Sequence, residues 1–235
     1  MKAKAWQECE ATCQRVLEAL DWAALGEIYF HWGGVEFWQE RRPQVLVAGF
    51  ELARQLSRRV PNGGSSLWVG AGVAELPVLL AETMIQGRKV RATNLRVREC
   101  EVLNAALQAT VPATTVRFEA IDATQVARVG GYDQLGCISV LTDPETWPLL
   151  SDVAYGRIAP IQIDVDQFVR ERDLATALAR SLFAGLLRPG WIATTAEEVA
   201  WFLDVAGSEG TSCVADDDMI DTAVVGDPVG FLRVG

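Results

Sequence analysis

Residues 67–77 read Leu67-Trp68-Val69-Gly70-Ala71-Gly72-Val73-Ala74-Glu75-Leu76-Pro77. A short apolar strand runs into two glycines and then into a helical stretch. Glycine at such a junction permits backbone angles closed to other residues and lets a ligand approach the main chain. The helix start behind it presents unpaired N–H groups and the positive end of a dipole. That turn suits a carboxylate or a phosphate, and Glu75 and Pro77 suit the first turn of the helix. The same Gly-x-Gly pattern also describes a tight strand-to-helix turn with no ligand. Asn94 closes the next strand, 22 residues past Gly72, where a polar side chain can meet ribose hydroxyls. Phe118-Glu119-Ala120-Ile121-Asp122-Ala123 ends a third strand with an acid and a small residue.

A fourth strand runs into Leu141-Thr142-Asp143-Pro144-Glu145-Thr146-Trp147-Pro148. Asp143 and Glu145 are placed to take a proton from an acceptor, and Trp147 to stack on a planar or cationic one. Asp143-Pro144 also starts turns and caps helices without any catalytic task. The lone histidine, His31, lies in the aromatic run 28–38 with Tyr29 and Trp32 beside it. It is a candidate base or acceptor contact; the competing reading is an aromatic core in which His31 satisfies a local hydrogen bond. A nicotinamide dinucleotide is a weaker candidate ligand, because its binding turn favours a small residue where Glu75 stands and an acid in place of Asn94.

Taken together these residues resemble the class I S-adenosylmethionine-dependent methyltransferases over roughly residues 65–235. The resemblance rests on Gly70-Ala71-Gly72-Val73-Ala74-Glu75, Asn94, Asp122-Ala123, the Arg188-Pro189-Gly190 turn and a late pair of strands. It implies S-adenosylmethionine as cofactor. Gly70, Ala71, Gly72 and Glu75 would form the turn at its methionine part. Asn94 would bond the ribose, Leu95 cover the adenine, and Asp122 with Ala123 meet its amino group. It further implies a helical extension over the crevice, with Tyr29, Trp32, Glu145 and Trp147 at the acceptor and Asp143 or His31 as base. Two positions depart from the pattern. Trp68 stands where an acid is usual, and Asn94 lacks the charge-assisted strength of a carboxylate. These departures keep open a non-catalytic binding module with Trp68 in the methionine site, and transfer of the cofactor's aminocarboxypropyl arm in place of its methyl.

Elements that position these residues follow from periodicity. Residues 3–20 have helical spacing, and a further helix is expected after Pro43, to about residue 60. The loop Pro61-Asn62-Gly63-Gly64-Ser65-Ser66 marks a boundary between residues 1–62, a helical extension or lid, and residues 63–235. Strands are expected at 67–69, 89–93, 115–118, 135–141 and 191–194, alternating with helices at 74–85, 99–109, 165–187 and 196–205. Alternation of this kind implies parallel pairing through crossovers. Strands at 211–214 and 231–234 break it and predict an antiparallel edge. The resemblance then implies an α/β Rossmann-like methyltransferase fold, a mostly parallel seven-stranded sheet of order 3-2-1-4-5-7-6 with strand 7 antiparallel.

Composition limits partners. The 235 residues carry 21 Lys+Arg against 31 Asp+Glu, a net charge of −10. Such a surface repels polyanions at long range, so no nucleic acid is expected as partner, and a small-molecule acceptor is. Residues 195–235 hold nine of the 31 acids and one of the 21 bases, so the rest is close to neutral. Asp216-Asp217-Asp218 reads as a solvated loop. Arg88, Lys89, Arg91, Arg96 and Arg98 read as a solvated basic face, or as a contact for an anionic substrate or for the acidic segment of a second copy, which makes a homodimer possible. Five cysteines without a Cys-x-x-Cys pattern, and one histidine, give no metal site and suit a reducing compartment. No run of about 18 apolar residues predicts a membrane span. The charged start Met1-Lys2-Ala3-Lys4 lacks a signal core, so the expected location is cytoplasmic.

Overall fold

The computed structural model describes residues 2–29, 34–221 and 226–235. Three helices come first: α1 (Lys2–Ala19), α2 (Trp22–Tyr29) and α3 (Gly34–Arg59). There follow β1 (Ser65–Val69), α4 (Leu76–Met84), β2 (Lys89–Asn94), α5 (Val97–Thr110), β3 (Phe118–Ala120) and α6 (Ala123–Ala127). The second half holds β4 (Tyr132–Cys137), α7 (Pro148–Ala154), α8 (Val165–Gly185), β5 (Leu186–Thr195), α9 (Val199–Ser208), β6 (Cys213–Ala215), β7 (Ile220–Asp221) and β8 (Pro228–Val234).

The strands form one sheet in the order β3-β2-β1-β4-β5-β8-β6, with the two-residue β7 pairing β8 off this path. β3, β2, β1, β4 and β5 are parallel, and β8 is antiparallel to β5 and β6. This is the Rossmann-like methyltransferase arrangement expected from the sequence; the short β7 only shifts the number of the last strand.

Period-two alternation sorts the sheet's side chains into two cores. Trp68, Ala92, Phe118, Ala193 and Phe231 pack toward α1, α3, α4 and α5. Leu67, Val69, Leu135, Cys137, Ile192, Leu232 and Val234 pack toward α6, α8 and α9. α1, α2 and α3 therefore contribute to the same core as α4 and α5.

Several local expectations change. α3 begins at Gly34 and runs through Pro43, which lies inside the helix instead of near its start. β4 stops at Cys137, not at Leu141, because Ser139 takes φ 54°, a left-handed angle that cannot extend a strand. Arg188-Pro189-Gly190 is part of β5, near the point where its register with β4 shifts.

The basic face is not solvated as a whole. Arg88 is 3 % exposed; its guanidinium donates to Ser66 Oγ, to the carbonyls of Pro61, Gly63 and Ser65, and to Asp133. Arg91 is held by both oxygens of Glu119, and Arg98 pairs with Glu27 of α2. The acidic loop is likewise engaged. Arg59, at the end of α3, bonds Asp216 at 2.8 Å and Asp218 at 3.0 Å and lies over the Phe231 ring. Among the described residues, no helix is long and apolar enough to cross a membrane.

Candidate functional site

Gly70 follows β1 with φ +65°, and a Cβ there would come within 2.8 Å of Val140 Cγ2. Both the angle and the close approach require glycine. The turn beyond it is closed on itself. Ala71 N–H donates to Thr93 O at 3.0 Å, and Gly72 N–H donates to Glu75 Oε2 at 2.8 Å. The Gly72 amide is therefore not left for a ligand anion, because the buried Glu75 carboxyl takes it. Burial pushes its pKa up to about 7, against the lowering effect of the Gly72 bond.

Asn94 ends β2 beside this turn, and its amide is committed. Nδ2 donates to Ala71 O at 2.9 Å and to Glu99 Oε2 at 3.0 Å, while Oδ1 accepts from Arg96 N–H at 2.8 Å. Asn94 thus ties the glycine turn to β2 and α5, with one lone pair of Oδ1 left over. Asp122 N-caps α6, accepting from Thr124 N–H at 2.8 Å through Oδ1.

A cavity of about 530 Å³ opens at the carboxyl ends of β1 to β4. Of the predicted residues it gathers Gly70, Asn94, Leu95, Asp122, Ala123, Asp143, Glu145 and Trp147. β2 and β4 lie on opposite sides of β1, which makes this the point where the strand order reverses and where such sheets hold ligands. Ala71, Gly72 and Glu75 lie behind the lining. His31 and Trp32, and the side chain of Tyr29, fall outside the described residues.

Asp143 keeps its turn-forming role. Oδ2 accepts from Thr146 N–H at 3.0 Å and from Thr146 Oγ1 at 2.5 Å. Its Oδ1 stands 4.0 Å from Arg96 Nη2, and the same nitrogen bonds Glu145 Oε2 at 2.8 Å, so the β2 and β4 loops are bridged at the rim. Trp147 is largely buried and donates Nε1–H to Val140 O at 2.9 Å, leaving only part of the ring toward the cavity.

The β4 loop is held from below. Glu198, fully buried, accepts from Leu141 N–H at 2.6 Å, Thr142 N–H at 3.1 Å, Thr142 Oγ1 at 3.2 Å and Thr194 Oγ1 at 2.9 Å. Burial pushes its pKa up to about 7 despite those donors.

Three features of the cavity were not anticipated from the sequence. Ser139 lines it in a left-handed conformation, with a buried hydroxyl that has no hydrogen-bond partner. Arg128 lines it near Asp122. The third is a wall of α8, Leu174, Ala177, Leu178 and Ser181, at i, i+3, i+4 and i+7 spacing that was readable as one helix face. With 21 residues α8 is about 31 Å long, against about 20 Å for β4.

Trp68 does not enter the cavity. It faces the opposite core, 1 % exposed, with Nε1 3.3 Å from both Glu82 oxygens. Its ring lies on Gly136 of β4, where a Cβ would come within 2.1 Å. Trp68 therefore does not block this cavity, which removes one of the motives for a non-catalytic binding module.

No family model and no curated protein matches this chain. Solved structures do, and many are S-adenosylmethionine-dependent methyltransferases of the class I Rossmann-like type. TrmN from Thermus thermophilus matches with a TM-score of 0.51 at 19 % identity, covering 83 % of this chain and 53 % of that one. NSun6 from Pyrococcus horikoshii, solved with SFG, matches with a TM-score of 0.51 at 11 % identity, covering 80 % and 50 %. A point mutant of MtNAS matches with a TM-score of 0.51 at 13 % identity, covering 97 % and 70 %. The chain thus spans about half the length of the TrmN and NSun6 chains, and at these identities the likeness is one of fold. One expectation is overturned. TrmN and NSun6 are RNA methyltransferases, so this fold serves nucleic-acid substrates, and a net charge of −10 is no ground for excluding such a partner.

Proposed function

We propose that this chain, whose fold is that of the class I methyltransferases, binds S-adenosylmethionine in the β1–β4 cavity and directs methyl transfer to a small-molecule acceptor. The observation that carries the reading is the meeting of Gly70, Leu95, Asp122 and Ala123 around one cavity at the point where strand order reverses. In this reading Gly70 would hold the methionine arm, and Asp122 and Ala123 with Leu95 would hold the adenine. Asp122 keeps Oδ2 for an amino group, since only Oδ1 serves the α6 cap. Asn94 contributes by fixing the glycine turn.

When bound, the cofactor supplies a sulfonium methyl, which an acceptor lone pair takes in line as the S–CH₃ bonding pair stays on sulfur. The chain's own residues position and deprotonate. Asp143 offers Oδ1 as proton acceptor, because Oδ2 is held by Thr146. Trp147, fixed through Val140 O, supplies a flat apolar edge, and Arg96 holds the rim through Glu145. Pairing of Arg91, Arg96 and Arg98 with Glu119, Glu145 and Glu27 leaves little net positive charge near the cavity, which supports a small acceptor. A cytoplasmic location goes with this reading, in keeping with five free cysteines.

Calorimetric titration with S-adenosylmethionine and its demethylated product tests the reading. Micromolar dissociation constants for both are expected; values no tighter than millimolar for both would end it. Transfer of a radiolabelled methyl group, offered small-molecule extracts and total RNA in separate reactions, then distinguishes the acceptor class.

A further inference from the structure

Resting on the cofactor reading above, we propose that the hydroxyl of Ser139 is a donor that binds the carboxylate of the cofactor's amino-acid arm, beside a glycine turn whose Ala71 and Gly72 amides are already paired. A carboxylate seated near Gly70 needs N–H or O–H donors. The two amides that follow Gly70 are spent: Ala71 N–H on Thr93 O, and Gly72 N–H on the internal carboxylate of Glu75.

Several other side-chain donors of the cavity wall are engaged, although Thr124, Ser181 and Arg128 also line it without such bonds. Thr93 Oγ1 donates to Trp68 O, Asn94 Nδ2 to Ala71 O and Glu99, Trp147 Nε1 to Val140 O, and Arg96 to Glu145. Ser139 differs. Its hydroxyl is shielded from solvent and makes no hydrogen bond, in a residue that lines the cavity next to Val140, the side chain that touches Gly70. An unpaired buried hydroxyl is a standing cost, and a bond to a ligand removes it. Turning it about χ1 toward the cavity breaks no bond.

Its backbone carries a second cost. Ser139 is the non-glycine residue at positive φ among the described residues, with φ 54°. A glycine would hold that angle without strain, so the side chain is retained against a stability gain. Strain of this kind gathers at ligand clamps. Arg128 is the rival donor, since it has no carboxylate partner among the described residues. It caps the far end of α6, on the Asp122 side of the cavity.

Titration calorimetry on the full chain separates these possibilities. The probes are S-adenosylhomocysteine and 5′-methylthioadenosine, which lacks the amino-acid arm. Ser139→Ala and Ser139→Gly are each expected to weaken S-adenosylhomocysteine about tenfold or more and to leave 5′-methylthioadenosine within about twofold. Ser139→Gly should also raise Tm by about 2–4 °C, a gain that a purely structural serine would not couple to lost affinity. The proposal is overturned if S-adenosylhomocysteine binds both variants as it binds the native chain. It is equally overturned if both probes weaken alike, or if Arg128→Ala and not Ser139→Ala removes the preference for the longer ligand. Failure of the native chain to bind either probe is a different result: it rejects the cofactor reading itself.

Discussion

The β1 turn and the β4 loop wall the same cavity, and each is anchored by a buried glutamate. Glu75 holds one amide of the β1 turn; Glu198 holds two amides and two hydroxyls below the β4 loop. The turn uses glycine for its left-handed residue and leaves its adjacent amides paired. The loop uses serine at the same kind of angle and leaves a hydroxyl unpaired. The two walls thus differ in anchoring and in satisfaction: the β1 turn rests on one glutamate bond with its adjacent amides paired, and the β4 loop rests on four but keeps a buried hydroxyl without a partner.

Removing the anchors gives the largest test of this contrast. Glu198→Ala strands four donors and should destabilise the fold by about 3 kcal/mol, whereas Glu75→Ala strands one and should cost about 1 kcal/mol. Urea unfolding of both variants measures this, and equal losses would break the contrast. Next in size is a pH effect. Both glutamates have folded pKa values near 7, above the ordinary 4.5. A raised carboxyl pKa gives stability that is complete below about pH 4.5 and is lost as pH rises through 7. Tm should therefore fall over that window for these two groups, and Glu75→Gln with Glu198→Gln should flatten the profile. Gly70→Ala forces a Cβ against Val140 at an unfavourable φ and should cost about 1–2 kcal/mol by thermal unfolding, opposite in sign to Ser139→Gly. Arg96→Met, which opens the exposed rim bridge, should change stability by less than about 1 kcal/mol at moderate salt.

Much of this geometry was readable in the chain. Parallel pairing followed from alternating apolar strands and helices, while the strand order and the places of Leu95 and Asp122 at one crevice followed from the family resemblance; Gly70, Asp143 and Trp147 join them from the loops after β1 and β4. What escaped was partnership. The spacing of Asn94 shows that it ends β2, but nothing local shows that Glu99 and Ala71 consume its amide. Trp68 looks anomalous until Gly136 of the neighbouring strand supplies the space for its ring. Ser139 carries no sequence mark, since serine is not a residue type that favours a left-handed angle. Charge runs misled for the same reason. Arg88 finds its acceptors in the loop before β1, in β1 itself and in β4, and Arg59 finds Asp216 across 157 positions.

That last pairing bears on how the chain can be divided. Arg59 belongs to the segment before the sheet, yet it caps the acidic loop between β6 and β7 and shields one face of Phe231 in β8. A fragment beginning at Ser65 would keep every strand and still lose the guanidinium that joins the first quarter of the polypeptide to its last. The two ends are laced together, and the acidic terminus should become the first target for a protease once the leading helices are cut away.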